Sequence, residues 1–238
     1  MQQIQAIQQQ LRDQSDPIKA EFFPHFFTSE PGDKDEFLGV TVPKQRTIVA
    51  KFYKKINPVD VLELLHSNVH EERLTALLIW VAQYQHGEDK TKKQVYDLYL
   101  RNRKWVNNWD LVDSSAHKIV GDWLIRQMEV GNDDRSILQK LSKSSSVWDR
   151  RIAMMATFTF IRRDDYSWTI RLAEQYLDDQ HHYIQKVSGW MLREVGKRDQ
   201  QTLLDFLDIF AAKMPRIMLR YSLEKLDKQQ RTHYLSLK

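Results

Sequence analysis

Three tryptophans in this chain are each followed, within one helical turn, by a charged residue: Trp109 by Asp113, Trp148 by Arg151 and Trp190 by Arg193. Spacings of three or four residues put both members of each pair on the same face of a helix. A groove lined by such pairs holds indole faces for a nucleobase or a cation, guanidinium groups for phosphates, and one carboxylate. That carboxylate can stabilise positive charge developing on a sugar as its base departs. The chemistry this mixture suits is recognition of damaged DNA. Lys104, Lys118, Arg150, Lys186, Lys197, Arg198, Arg216 and Arg220 can extend a basic track along the same surface. A structural reading competes with this one. Tryptophan at helical spacing is often core, and Trp80, Trp123 and Trp168, whose neighbours are mainly apolar or loop-like, are assigned there. Asp113 can equally cap a helix or pair with a neighbouring base, and Arg151 and Arg193 can lie solvated.

Other chemistries are poorly supplied. The sequence has no cysteine, which excludes disulfides, Cys-ligated zinc, iron–sulfur clusters and thiol nucleophiles, and fits a reducing cytosol. His66 and His70 stand one turn apart without an HExxH-like frame, so a packing or surface role is expected. His181 and His182 are adjacent and are expected on different faces of a helix. Neither a GxSxG elbow nor a glycine-rich phosphate loop occurs. The N-terminus lacks a signal-peptide pattern and no segment has the length of a membrane span, so a soluble, cytoplasmic protein is expected, a monomer by default. The formal net charge of +4 and pI of about 9.1 favour a polyanionic partner.

The elements that must position these residues read as helices. Hydrophobic residues make up 42% of the 238, while 7 Gly and 6 Pro leave little turn chemistry for a many-stranded fold. Apolar residues recur at helical spacing, as in Ile4, Ile7, Leu11, in Val59, Leu62, Leu65, and in Leu203, Leu204, Leu207. Breaks fall at Thr28–Asp33, Asn57-Pro58, Ser67-Asn68, Gly131–Asp134 and Ser144–Ser146. Asn57 with Pro58, and Ser146 before Val147, have the form of helix starts. Segments around Thr75, Asp113, Arg151 and Lys186 align at a period of about 35 to 38 residues, the length of two helices and two turns. A small residue follows each marked position: Ala76, Ser114, Ala153 and Ser188. The expected architecture is all-α, an α-α superhelix or HEAT-like repeat solenoid, a single domain over 1–238 with a concave basic groove.

The string Trp109-Asp110-Leu111-Val112-Asp113 closely resembles the catalytic segment of AlkD-type DNA glycosylases. Ile184-Gln185-Lys186-Val187-Ser188-Gly189-Trp190-Met191-Leu192-Arg193-Glu194 resembles another stretch of that family, with Phe37-Leu38-Gly39-Val40, Pro43, Arg46, and Trp148 followed by Arg151 in support. The resemblance implies hydrolysis of the N-glycosidic bond of cationic N3- or N7-alkylated purines in duplex DNA, and it implies no metal or organic cofactor. By position, it implies that Asp113 stabilises the oxocarbenium-like sugar and positions water. Trp109 and Trp190 would pack against the backbone at the lesion, and Arg151 and Arg193 would hold phosphates. Trp148 and Lys186 join them on the DNA-binding face. Where catalytic members carry a tyrosine near the start, the match here is Phe26 or Phe27, which keeps the ring and loses the hydroxyl.

Two further readings stay open. A non-catalytic HEAT-like repeat protein binding distorted or branched DNA needs the groove and the indoles but not the carboxylate, and a protein-interaction scaffold needs neither.

Overall fold

A computed structural model of the protein describes residues 2–27 and 35–237, and among these the fold is all-α, with one isolated bridge between Glu36 and Val69 and no strand. The break expected at Thr28–Asp33 lies outside the described residues. The chain divides into two compact units, 1–119 and 120–238. The division falls within a single π-helical turn, His117–Gly121.

In the first unit the helices are α1 (Gln2–Asp13), α2 (Pro17–Phe22), α3 (Val42–Phe52), α4 (Leu62–Leu65), α5 (His70–His86), α6 (Asp89–Asn102) and α7 (Trp109–Ala116). α1 buries Ile4, Ile7 and Leu11, one apolar stripe, against α3 and α5. The Asn57 side chain accepts from Val59 N–H as expected of a cap, but the chain makes only turns there before α4, and Val59 is exposed. α5 packs on α1, α3, α4, α6 and α7 and is buried nearly all round. Its first turn carries His70, Glu71, Glu72 and Arg73, all buried. Four such groups cost several kcal/mol each to bury unless paired. Every one has a partner: Glu72 accepts from Gln8 and Arg12, Arg73 meets Asp35, and His70 lies between two carboxylates. Glu71 accepts the backbone N–H groups of Leu38, Gly39 and Val40.

That last contact explains the Phe37-Leu38-Gly39-Val40 string. Gly39 has φ +78°, and a Cβ there would lie 2.2 Å from the Asp16 carbonyl oxygen, so only glycine lets the loop close over α2 and turn three amides toward Glu71.

The second unit comprises α8 (Asp122–Glu129), α9 (Ser136–Ser142), α10 (Val147–Ile161), α11 (Ser167–Gln175), α12 (His182–Gly196), α13 (Gln200–Phe210), α14 (Arg216–Ser222) and α15 (Lys228–Ser236). α12 packs between α10 and α14, with α11 and α13 covering it. Ser146 caps α10 as expected, its hydroxyl accepting from Asp149 N–H. A Cβ on Gly189 would lie 2.3 Å from the Met218 carbonyl, which marks the close approach of α12 and α14.

Helices α5, α7, α10, α12 and α14 begin at residues 70, 109, 147, 182 and 216, a spacing of 34 to 39 residues. The repeat is therefore real, with one slip in its expected register. Asp113, Arg151 and Lys186 are each the fifth residue of their helix, but the fifth residue of α5 is Leu74, not Thr75. Of the small residues, Ala76, Ala153 and Ser188 are fully buried, whereas Ser114 is half-exposed and its neighbour Ser115 takes the buried place beside Tyr99. Degenerate repeats carry no signal of a one-residue slip, because either register keeps a small residue near the contact.

Candidate nucleic-acid interface

α7 begins where Asn108 leaves the helical region of backbone space and accepts the Trp109 N–H through its side chain. Trp109 is thus the first helical residue and Asp113 follows one turn later, both half-exposed. The indole is held from its far side: Nε1 donates to the Phe26 carbonyl at 3.2 Å, and the ring stacks on Phe27 with centroids 5.7 Å apart and planes 13° from parallel. Phe26 meets Trp109 through its backbone, while its own ring is 57% exposed and packs edge-on against Phe22.

Behind Trp109 lies a charged cluster that the residue spacing did not disclose. His70 Nε2 is 2.8 Å from Asp110 Oδ2, and its Nδ1 is 3.0 Å from Asp35 Oδ2. Phe27 and Phe37 flank the imidazole, with centroids 4.5 and 5.0 Å away. Burial alone would push His70 down; the charge and hydrogen bond of Asp110, then the hydrogen bond of Asp35, outweigh it and the opposing Arg73, and carry the imidazole to about 9. Burial likewise works to raise the Asp35 carboxyl, but hydrogen bonds from His70 and Arg73 hold it below the ordinary range. A cavity of about 320 Å³ opens beside this cluster, walled by Phe23, Phe26, Phe27, Val40, Pro43 and Trp109, with His70 and Asp110 at its edge. His70 thus sits buried between two carboxylates, more than the packing or surface role expected of it. Its sequence signal was faint: it opens α5 as Trp109 opens α7, at equivalent points of the repeat.

His66, one turn away in the sequence, is bound to Asn102 and stacks on Trp105. Among the described residues no group of three His, Cys, Asp or Glu side chains is arranged to hold a metal ion.

In the second unit, Trp148 and Arg151 meet at Tyr183. The indole lies 5.2 Å from the Tyr183 ring, and Arg151, only 5% exposed, donates Nη1 to the Tyr183 carbonyl at 2.7 Å with its guanidinium over the same ring. Trp190 and Arg193 converge instead on Glu194: Trp190 Nε1 donates to its Oε1 at 3.1 Å, and Arg193 and Lys197 reach the same carboxylate. Burial raises the Glu194 carboxyl, and Lys197 and then Arg193 more than reverse this. Arg193 also pairs with Glu224. Lys186 is half-exposed.

Much of the anticipated basic track is already paired, Arg150 with Asp179, Lys197 with Glu194 and Arg198 with Asp164. Of the tryptophans assigned to the core, Trp80 is fully buried and donates to the Pro58 carbonyl, but Trp123 and Trp168 are half-exposed, and Arg171 lies over the Trp168 ring. His181 and His182 also differ from expectation. His181 is the N-cap of α12 with extended backbone, outside the helical screw, so the two rings stack with planes 19° apart.

The described helices thus form a repeat in which α7 carries Trp109 and Asp113, α10 carries Trp148 and Arg151, and α12 carries Trp190 and Arg193. The sequence matches the profile of the family described as DNA alkylation repair enzyme over residues 7–226, and the chain belongs to that family. A solved structure described as a predicted DNA alkylation repair enzyme from Enterococcus faecalis shares the fold, with a TM-score of 0.70 at 16% identity, over 90% of this chain and 98% of that one. A search of curated proteins finds no significant match. Among the described residues no helix is long and apolar enough to cross a membrane.

Proposed function

We propose that the protein is a DNA glycosylase that hydrolyses the N-glycosidic bond of cationic N3- or N7-alkylated purines in duplex DNA. The observation that carries this reading is α7. Its first residue is an indole fixed from behind by Phe26 and Phe27, and a half-exposed carboxylate stands one turn further on the same face.

In this reading the bond between C1′ and the purine nitrogen breaks with its electron pair going to the base, which leaves neutral. Asp113 stabilises the oxocarbenium-like sugar, water adds to C1′, and the carboxylate takes the proton that water loses. The products are the free base and an abasic hemiacetal. Much of the driving force resides in the substrate, since the leaving base begins as a cation, so one fixed carboxylate suffices without a metal. Trp109 and Trp190 press against the backbone at the lesion, Arg193 and Lys186 contact phosphates, and the exposed Phe26 ring adds an apolar contact. Arg151 and Trp148, locked onto Tyr183, set the shape of the phosphate-facing surface in their repeat more than they bind through free donors.

The test is release of 7-methylguanine and 3-methyladenine from methylated duplex DNA, quantified by chromatography. Asp113→Asn is expected to lower release by about 100-fold or more, the scale of losing one electrostatic stabiliser of a transition state. DNA affinity should be retained. Equal release by the variant excludes the assigned mechanism, and silence from the wild type favours the non-catalytic reading, which needs only the indoles and basic groups.

A further inference from the structure

Asp110 follows Trp109 directly, and on the first turn of α7 it points to His70. We propose that His70 is a positioning residue for the reactive face of α7: by bridging Asp110 to Asp35 it fixes the helix start, and through it the orientation of Trp109 and Asp113. This rests on the reading of Trp109 and Asp113 as the reactive pair.

The geometry supports a clamp. His70 is 1% exposed with both ring nitrogens engaged, at 2.8 Å to Asp110 and 3.0 Å to Asp35, and its backbone N–H donates to the Glu36 carbonyl at 2.9 Å. Two carboxylates can both be served only by imidazolium, since the neutral ring has a single N–H. Phe27 touches the faces of both His70 and Trp109, so a movement of one ring is transmitted to the other. Asp110 Oδ1 is buried with no hydrogen-bond partner among the described residues, so its carboxylate depends on His70 through Oδ2. The charged groups facing the ring are Asp110 from α7, Asp35 from the segment before α3, and Arg73 from α5 itself, which also holds Asp35. Loss of the imidazolium proton would break one bridge and leave Asp110 or Asp35 without its donor. Arg73 serves Asp35 in either case, whereas Asp110 has no other donor among the described residues, so the start of α7 is the side that depends on the charge of His70.

The experiment uses the full chain grown with 5-fluorotryptophan, the Trp109 resonance being assigned by its loss in Trp109→Phe. In the wild type this ¹⁹F signal is expected to move between pH 7 and 10 with a single midpoint near 9. In His70→Gln it should be displaced at pH 7 and flat thereafter. Asp110→Asn, which keeps the oxygen acceptor and loses the charge, should lower the midpoint and serves if His70→Gln folds poorly. Base release by His70→Gln should fall about 10- to 100-fold in kcat with DNA Kd nearly unchanged, as expected when a reacting group is misplaced rather than removed. A Trp109 signal that ignores pH in the wild type overturns the proposal, as does a His70→Gln enzyme whose kcat is unchanged. A titrating Trp109 signal in a protein that releases no base supports the positioning role and overturns the glycosylase reading alone.

Discussion

At the scale of single residues, the first turn of α5 concentrates more buried charge than any other place described in the first unit, and its partners decide whether that charge stabilises or destabilises. Glu71 accepts from the amides of Leu38, Gly39 and Val40 together. Glu71→Ala would leave those donors unpaired, so a loss of about 2–4 kcal/mol is expected from urea unfolding. A loss below about 0.5 kcal/mol would show that water replaces the carboxylate at little cost. His70 adds a pH dependence of definite sign. Its folded value, about 9, lies above the ordinary imidazole value of 6.5, so its stabilisation is complete below 6.5 and disappears as pH rises through 9. The contribution is about 3 kcal/mol at its fullest. Wild type should thus lose stability between pH 6.5 and 9.5 relative to His70→Gln, whose urea midpoint should be nearly level over that window.

At the scale of elements, consecutive repeat helices of the second unit approach closely, as α12 and α14 do. Gly189 sits against the Met218 carbonyl, and a Cβ at 2.3 Å cannot be absorbed by a side-chain rotation because the obstacle is backbone. Gly189→Ala should therefore push α12 from α14 and cost about 1–3 kcal/mol, the range for overpacking, with Trp190 fluorescence perturbed at the same time. An unchanged melting temperature would place the helices further apart than this contact implies. The helix starts matter as much as the contacts. Ser146 and Asn108 each accept a backbone N–H at the start of a repeat helix, which orients the residues that follow, Trp148 and Arg151 in one case and Trp109 and Asp113 in the other.

At the scale of the whole molecule, the excess of four positive charges is modest, and many basic side chains are committed to carboxylates. DNA affinity should therefore fall with salt by a slope reflecting few released counterions rather than the full tally of Lys and Arg. Arg193→Gln should reduce that slope by about one if Arg193 reaches a phosphate. Glu224→Gln, which removes a competing anion from the same guanidinium, should tighten binding at low salt. Opposite effects of these two variants in filter-binding or anisotropy titrations are the expected outcome, and no change in either would remove Arg193 from the interface.

The sequence by itself determined the all-α repeat, its approximate period, the capped start at Ser146, and the placing of Trp109 and Asp113 one turn apart on a helix, but not the helix start expected at Asn57. All of these follow from relations among residues within a turn or a repeat, and helical geometry converts such spacings directly into shared faces. It also determined the family, because the strings that carry the resemblance are contiguous. Only the tertiary structure decided which charges are available. Arg151 looks like a surface donor from spacing alone, yet Tyr183, 32 residues later, buries and binds it. The clamp on α7 likewise unites Asp35, His70 and Asp110, residues 35 and 40 positions apart. Partners at such separations leave no periodic trace, since what joins them is the low-dielectric contact between helices and not any local pattern along the chain.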